Sequence, residues 1–542
     1  MFLSHIFFFA DDAVFIGEWS LDNAIIIIGI LMCFKKASGL QVNYQKSRVF
    51  GIGADSVSVG NMANLLGCKA DKLPTMFLGI PIGSHMKRAE NWQPIIEKFR
   101  KKLSIWKAKT LSIGGRLTIV SNILGGIPNY WMSMFPVPKN VASELEKMRR
   151  DFFWGPKDSG KPIPWVKWSI ACQQKHNGGL GIIGIEDMNT SLLAKWIWRV
   201  KHEEKAIWVQ VIKSIHGENA ILTEDKTRRV HPCSWKNIIL KIQKLNPAFL
   251  NISNLLQVKL GDGGSTKFWE DKWSEEGSLR ISFPRMYALE EEKECLAKDR
   301  LNTDFEAWKR RRDIRDGRER EEANRLKLIL DRASLNNDAD KWIVPGAPND
   351  SFSTSWLRDC LETFKTMGKT QQDFWHRWIL KKHNVFIWRY IRNRIPTRKL
   401  VSDMGIDIQC TLCPLCELKE EDNLHLFFEC EFSRSLWLKF GDWWKVQIPT
   451  FNRAEDPLVW ASYVFQKKYE CSRLQVAVIA LLVSIWKTRN GVIFDKKKAE
   501  KVRVFRNIIE LAYFWLAYFW LFSRNSRFKV EMKNWTLNPK IM

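Results

Sequence analysis

The sequence predicts an α+β protein that is predominantly helical, and three observations carry this prediction. Short apolar runs bounded by turn residues are concentrated in the first 85 residues, where they predict strands. From Arg88 onward, apolar residues recur at helical spacing. The chain has 542 residues, of which 45% are hydrophobic, so it is long enough for several domains and a sizeable core.

The first predicted element is a β-hairpin that carries two adjacent acids at its tip. An apolar run at 7–10 precedes Asp11 and Asp12, and a second apolar run follows at 13–16. Two apolar strands joined by a tight acidic turn hold both carboxylates at the apex. Because apolar strands rarely surround two charges unless a cation neutralises them, the hairpin predicts a metal-binding pair.

A helix is predicted next at 23–36, and Gly39 then turns the chain into a short strand. The segment 77–83 predicts another hairpin. Beyond Arg88, an apolar stripe at i, i+3, i+4, i+7 spacing predicts a helix. The stripe consists of Trp92, Ile95, Ile96, Phe99, Leu103 and Trp106, and the opposite face carries Lys98, Arg100, Lys101, Lys102, Lys107 and Lys109.

The charge of the chain indicates a polyanionic partner. Lys and Arg total 85 against 59 acids, which gives a formal net charge of +26. Eight basic residues and no acid lie between Lys98 and Ser143. A second block without acids, at 374–402, contains Arg377, Lys381, Lys382, Arg389, Arg392, Arg394, Arg398 and Lys399. A solvated basic face fits both blocks, but the absence of acids favours phosphate contacts.

The middle of the chain offers weaker signals. Gly178-Gly179-Leu180-Gly181 predicts a turn into a strand, and the glycine-rich segment 261–267 predicts a hairpin turn, because it lacks the Gly-Lys-Ser/Thr order of a phosphate loop. Residues 289–331 predict a charged helix of mixed sign, and the turn-rich segment 344–350 is a candidate boundary.

A cluster of cysteine and histidine predicts a structural zinc site. Cys413 and Cys416 have the spacing of a knuckle that turns both sulfurs toward one point, and His425 and Cys430 follow shortly after them. Four protein ligands leave no open position for water, so the site is structural rather than catalytic. Cys410 is a possible alternative ligand and ranks as a spare.

The other cysteines are scattered, which is typical of a reduced compartment without a disulfide framework. The N-terminal apolar stretch is interrupted by His5 and the acid pair, so no signal peptide is expected. The apolar run 511–522 is too short to span a bilayer. We therefore expect no membrane partner.

These motifs, in this order, resemble the C-terminal part of a plant non-LTR (LINE-type) retrotransposon reverse transcriptase. Phe9-Ala10-Asp11-Asp12 resembles the palm motif that holds catalytic metal, and 38–47 and 77–81 resemble the palm motif and primer grip that follow it. The segment 106–116 resembles the thumb, the Cys/His cluster resembles the zinc-binding domain, and Ile485-Trp486-Lys487-Thr488-Arg489-Asn490 matches the segment that usually follows that domain.

The resemblance implies a domain order. It consists of a truncated palm remnant at 1–85, a thumb-like basic helical segment at 86–155, a connector region at 156–345, a small zinc-binding module at 346–445 and a C-terminal helical tail at 446–542.

The resemblance also implies roles for particular residues. Asp11 and Asp12 would hold Mg²⁺, Lys46 would donate a proton to pyrophosphate, and structural Zn²⁺ would occupy the Cys/His cluster. An RNA/DNA template–primer would be the partner, and the nucleus is implied by the family alone. The residues expected to contact nucleic acid are Lys98, Arg100, Lys101, Lys102, Lys107, Lys109, Arg116, Arg377, Lys381, Lys382, Arg389, Arg392 and Arg394.

The family's upstream palm strand brings a further Asp that bridges both metals, and this sequence has no counterpart to it. We therefore expect a reverse transcriptase (RNA-directed DNA polymerase) fragment that binds nucleic acid but is inactive alone. The alternative is a non-catalytic, zinc-stabilised remnant that binds nucleic acid.

Overall fold

A computed structural model describes residues 3–9, 12–103, 110–155, 163–217, 233–243, 256–366 and 374–522, together with Trp535 and Pro539. The chain divides into two compact units, Met1–Asn91 and Trp92–Met542, and each is treated by itself. As predicted, the described part is mainly helical, with short paired strands.

The first unit contains three two-stranded sheets and two helices within its described residues. Strand β1 (Leu3–Phe9) pairs antiparallel with β2 (Asp12–Gly17), with Phe9 opposite Asp12, so the two strands predicted to flank the acid pair do pair; Ala10 and Asp11 lie outside the described residues. Helix α1 (Leu21–Ser38) ends at Gly39, whose positive φ of 74° suits glycine. The remaining elements are β3 (Arg48–Val49), α2 (Ser56–Leu66), β4 (Lys69–Ala70), β5 (Thr75–Phe77) and β6 (Ile80–Ile82). The last two strands form the hairpin predicted at 77–83.

The second unit begins with helices around a shared core. They are α3 (Gln93–Lys102), α4 (Ile113–Thr118), α5 (Asn129–Met132), α6 (Lys139–Trp154), α7 (Trp168–Ala171) and α8 (Ile185–His202). The predicted apolar stripe is buried from Trp92 to Phe99, whereas Trp106 lies outside the described residues. Trp92 makes an edge contact with Trp131 at a centroid distance of 5.7 Å. Buried Asn189 on α8 donates to the Met132 and Phe135 carbonyls, which fixes the chain after α5 against α8.

The middle of this unit mixes helices with one strand pair. Helices α9 (Ile207–His216) and α10 (Ser234–Gln243) pack with α8. Strand β7 (Gln257–Lys259) pairs antiparallel with β8 (Lys341–Ile343). Between these strands lie α11 (Leu279–Ser282), α12 (Pro284–Leu289), α13 (Ala297–Leu301) and α14 (Arg318–Arg332), and α15 (Thr354–Thr366) follows β8.

Two sequence predictions for this region were wrong. Residues 289–331 do not form one charged helix, because Glu290 and Arg300 are buried as an ion pair 2.9 Å apart and Gly317, at φ 86°, separates α13 from α14. The segment 261–267 is not a hairpin turn, because β7 pairs with the distant strand β8. Local sequence patterns did not reveal either set of contacts.

The glycine-rich segment 261–266 wraps around the carboxylate of Asp340. The carboxylate accepts hydrogen bonds from the backbone N–H of Gly261 at 2.7 Å, of Gly263 at 2.9 Å and of Ser265 at 3.0 Å. The Thr266 hydroxyl donates a fourth at 2.8 Å. Burial opposes ionisation of Asp340, but these donors outweigh it and lower its pKa below the usual value. The donors that a phosphate would need are therefore already used inside the chain.

Replacing Asp340 with Asn is expected to destabilise the protein by about 2 kcal/mol, because several N–H donors lose a charged acceptor. A carboxyl with a lowered folded-state pKa stabilises the fold above its unfolded pKa, and this contribution is lost as the pH falls through the folded pKa. The difference in melting temperature from wild type should therefore be full at pH 7 and shrink in acid. Asp338→Asn, at an exposed neighbour, is the control; equal melting temperatures for both variants would contradict the prediction.

The C-terminal part forms the largest core. Its helices are α16 (Lys381–Tyr390), α17 (Arg398–Asp403), α18 (Glu431–Trp444), α19 (Asp456–Ala461), α20 (Lys468–Phe494) and α21 (Lys501–Phe522). Trp444, Trp515 and Trp535 are almost fully buried in it. The Trp443 indole donates to the Trp535 carbonyl at 3.3 Å, so Trp535 packs against α18.

Among the described residues, α20 is the one helix long and apolar enough to cross a membrane, with a mean hydropathy of 1.5 over its most apolar window. Within the chain, 61% of that window is buried. Residues along α20 pack into the same core as α18 and α21, as in the central helix of a helical bundle.

Candidate metal centre and basic surfaces

A tight hairpin presents the first two zinc ligands. The Glu421 N–H donates to the Thr411 carbonyl at 2.8 Å, and the Cys413 N–H donates to the Lys419 carbonyl at 2.7 Å. The chain reverses between these bonds at Glu417, whose φ is 59° and whose N–H donates to the Cys413 carbonyl. The knuckle therefore turns the Cys413 and Cys416 side chains to one side.

The other two ligands come from the segment that enters α18. His425 begins a π-helical turn, His425–Glu429, and its N–H donates to the Asp422 carboxylate at 2.7 Å. The turn closes with a bond from the Cys430 N–H to the His425 carbonyl, also at 2.7 Å. Cys430 lies at the N-cap position of α18. The wider turn thus brings His425 and Cys430 onto the same side.

The four predicted ligand atoms lie within 4.8 Å of one another. The sulfurs of Cys413 and Cys430 are 4.0 Å apart, and the Cys416 sulfur is 3.3 Å from Nε2 of His425. Zn–S bonds of about 2.3 Å and Zn–N bonds of about 2.0 Å at tetrahedral angles give ligand separations of this size. Three thiols and one imidazole therefore fit a closed, structural Zn²⁺ site.

The electrostatics of the cluster favour a thiolate at Cys430. Its pKa is lowered, first by the hydrogen bond from the Cys413 thiol and further by the backbone N–H groups of Phe432 and Ser433 at the start of α18. Cys413, His425 and Cys430 are buried, which keeps water away from the cluster. Cys410 is exposed and stands outside the cluster, in agreement with its rank as a spare.

A buried ion pair supports the zinc hairpin from outside. Both Glu421 carboxylate oxygens accept from the Arg489 guanidinium at 2.6 Å, and both side chains are at most 5% exposed. The same carboxylate accepts from the Arg398 N–H at 2.7 Å. Arg489 also lies over the Trp486 ring at 4.7 Å. The sequence shows the motif 485–490 but gives no sign of its partner Glu421, because the two lie far apart along the chain.

The predicted catalytic residues lie in the first unit. Asp11 falls outside the described residues, and Asp12 is exposed on β2. Lys46 is exposed in a turn where its N–H donates to Asn43. Within the described ranges, the Cys/His cluster is the one group of three or more metal-binding side chains. The structure therefore offers no support for Mg²⁺ at the acidic hairpin.

The first basic block is exposed on α3. Lys98, Lys101 and Lys102 face solvent, and Arg100 pairs with Glu144 at 2.8 Å on the surface. Arg116 is half-buried beside Gly155, and this burial lowers the pKa of its guanidinium. The remaining predicted contacts, Lys107 and Lys109, lie outside the described residues.

The second basic block divides into two groups. Arg377, Lys381, Lys382 and Arg394 are exposed. Arg389 instead lies over the Trp165 ring at 5.0 Å and donates to the Arg394 carbonyl, and its burial lowers its pKa to about 10.

Arg392, in the same block, donates to the carbonyls of Trp388 and Gly178. The Trp388 indole donates to the same Gly178 carbonyl at 2.8 Å. The turn itself needs glycine, because a Cβ on Gly179 would meet the Gln173 carbonyl oxygen at 1.9 Å. Arg392 therefore ties α16 to the turn at 178–181.

The comparisons with known proteins agree with this geometry. Residues 352–437 match the model of a zinc-binding domain in reverse transcriptase. The chain is 28% identical over 199 residues to the "Putative ribonuclease H protein" of Arabidopsis thaliana, a match that covers 36% of this chain and 31% of that relative. It is also 28% identical over 148 residues to an "Uncharacterized mitochondrial protein" of the same plant, covering 27% of this chain and 92% of the relative.

The matched domain contains all four ligands of the cluster. The resemblance to a reverse transcriptase is confirmed by these matches. A structural zinc site is supported by both the family match and the geometry. The chain spans less than a third of the first relative, so the activity of that whole protein does not transfer to it. Residues 352–437 thus carry a reverse-transcriptase zinc-binding domain, and the comparisons support a relation of the chain to reverse transcriptases.

Proposed function

We propose that this protein binds the phosphate backbone of an RNA or DNA template–primer. The supporting observation is α3, which buries Ile95, Ile96 and Phe99 at its core face and presents Lys98, Lys101 and Lys102 to solvent. Lysines that the core does not use are free to displace counterions from phosphates. The formal net charge of +26 gives a long-range attraction to the same polyanion.

In this proposal the zinc-binding domain stabilises the fold and takes no part in chemistry. Its four ligands leave no position for a reacting water. Because two ligands lie on the hairpin and two lie on the segment that enters α18, the ion would fix the hairpin against α18. The order of the sequence motifs supports an origin in a non-LTR (LINE-type) element. Nucleic-acid binding without catalysis, by a protein that zinc stabilises, is also the alternative function predicted from the sequence.

The binding test is a titration of fluorescently labelled single-stranded RNA at several salt concentrations. Log K should fall with log salt, by about 0.7 for each phosphate contact on a single strand. The triple variant Lys98→Gln, Lys101→Gln, Lys102→Gln should therefore lower the slope by about 2. The matched control replaces three exposed lysines elsewhere with Gln: Lys195, Lys259 and Lys309. Absence of salt-dependent binding by wild type would refute the proposal.

We further propose that this polypeptide does not extend a primer by itself. Two-metal polymerisation needs carboxylates that clamp both ions, and the resemblance supplies Asp11 and Asp12 alone. The test is extension of an oligo-dT primer on poly-A template with Mg²⁺ and purified protein. Extension that disappears in the Asp11→Asn variant would overturn this part of the proposal and leave the binding proposal intact.

A further inference from the structure

A pocket of about 330 Å³ opens between α20 and α21. Ser484, Lys487 and Thr488 line it from α20, and Asn507 and Glu510 line it from α21. The volume is at the lower end of the range for small-molecule pockets, and the lining offers charged and amide groups rather than a purely apolar wall. The pocket can therefore accommodate a small polar group.

Lys487 is the member of the motif 485–490 that packing does not explain. Trp486 lies against the Arg489 guanidinium, and Arg489 pairs with Glu421, so both support the zinc hairpin. Lys487 instead lines the pocket and remains exposed to solvent. No carboxylate among the described residues lies within ion-pair distance of it. The lysine is thus available to a ligand.

A second lysine adds positive charge at this place. Partial burial of the Lys487 ammonium lowers its pKa, and the like charge of Lys382 lowers this pKa further. Lys382 is exposed at the start of α16. Buried His383, beside the Trp515 ring, has its pKa lowered to about 3 by burial and by these two lysines, so it stays neutral. An anion that entered here would relieve the repulsion between the two ammonium groups.

We infer that this pocket binds a phosphate group of a nucleic-acid strand, held by Lys487 with the Asn507 amide as a hydrogen-bond donor, while Lys382 adds positive charge from the start of α16, where His383 packs against Trp515 of α21. The inference rests on the proposed nucleic-acid binding and locates one contact of the strand. Asn507 is exposed on α21 at the pocket wall, where its amide can reach a phosphate oxygen. Glu510 lies on the same wall, and the negative charge of its carboxylate repels a phosphate and weakens its binding.

The test compares binding of labelled single-stranded RNA by the full chain and by the double variant Lys382→Gln, Lys487→Gln. Loss of this one phosphate contact should lower the salt slope by about 0.7 and weaken binding about 5-fold at ~0.1 M salt. The matched control, Lys195→Gln with Lys309→Gln, removes the same charge at exposed sites elsewhere. Glu510→Gln should strengthen binding, which a merely unfolded variant would not do.

A second arm identifies the source of the phosphate. Lys487 is acetylated in wild type with an amine-reactive ester, and its protection by RNA or by inorganic phosphate is followed by peptide mass spectrometry. Protection by micromolar RNA, with none from phosphate at that concentration, is expected. Protection by inorganic phosphate alone would overturn the strand assignment. RNA binding by wild type with equal slopes for the double variant and the control would overturn the inference, whereas no binding by wild type would refute the proposed function itself.

Discussion

Replacing Cys413 with Ser is expected to abolish stoichiometric zinc and to unfold the hairpin at 411–421. The Cys413 side chain is fully buried, and its sulfur is one of four ligand atoms within 4.8 Å of one another. Without the ion, the remaining ligand atoms keep only weak contacts, such as Cys416 with His425 and Cys430 with the N–H groups of Phe432 and Ser433. Zinc at a thousandfold excess over its Kd stabilises the folded state by about 4 kcal/mol, and this contribution should be lost. Zinc content per chain and melting temperature measure the two effects.

Cys410 provides the matched control for this prediction. It is exposed, precedes Cys413 closely in the sequence and stands outside the cluster. Cys410→Ser should retain one zinc per chain and the wild-type melting temperature, and a chelator should lower that temperature in both wild type and the control. A Cys413→Ser protein that still binds one zinc, or a Cys410→Ser protein that loses it, would show that the ligand set is different.

The zinc site could be predicted from the sequence because its geometry is local. All four ligands lie in the short segment from Cys413 to Cys430, and the spacing of Cys413 and Cys416 nearly dictates a knuckle. The buried stripe of α3 was predictable for the same reason, since helical periodicity places Trp92, Ile96 and Phe99 on one face without reference to the rest of the chain.

The division within the second basic block could not be predicted. Arg389, Arg392 and Arg394 are alike in sequence, yet Arg392 donates to the carbonyl of the distant Gly178, whereas Arg394 is exposed. A pattern of charges shows which residues can bind phosphate, but long-range packing decides which are already used. The glycine-rich segment 261–266 is a second example of long-range packing that the sequence does not show. Its N–H groups donate to Asp340, which lies beyond four intervening helices along the chain.

The Glu421–Arg489 pair connects the locally determined zinc hairpin with a distant helix of the core. Glu421 belongs to the hairpin that carries the knuckle, and Arg489 belongs to α20, the central helix of the largest core. The pair therefore fixes the position of the zinc hairpin relative to this core. Loss of zinc should loosen this contact, and loss of the contact should weaken zinc binding, because both act on the same hairpin.

Replacing Glu421 with Gln is expected to cost about 3–5 kcal/mol, because it leaves the Arg489 charge buried without its counter-charge. Both oxygens of Glu421 bind the guanidinium at 2.6 Å, so the amide can keep at most one of these bonds. The melting temperature should fall, and the apparent affinity for zinc, measured against a chromogenic chelator, should fall with it. A stability loss without any change in zinc affinity would separate the ion pair from the metal site.

Glu420→Gln is the control, since its carboxylate is exposed and pairs with Lys399 at 3.2 Å on the surface. A surface pair of this kind contributes less than about 1 kcal/mol, so this variant should resemble wild type. The double variant Glu421→Gln, Arg489→Met removes the buried charge together with its partner and should recover part of the stability that Glu421→Gln loses. Additive losses in the double variant would contradict the prediction, because they would mean that the two side chains stabilise the fold independently and that the hairpin is held to α20 by other contacts.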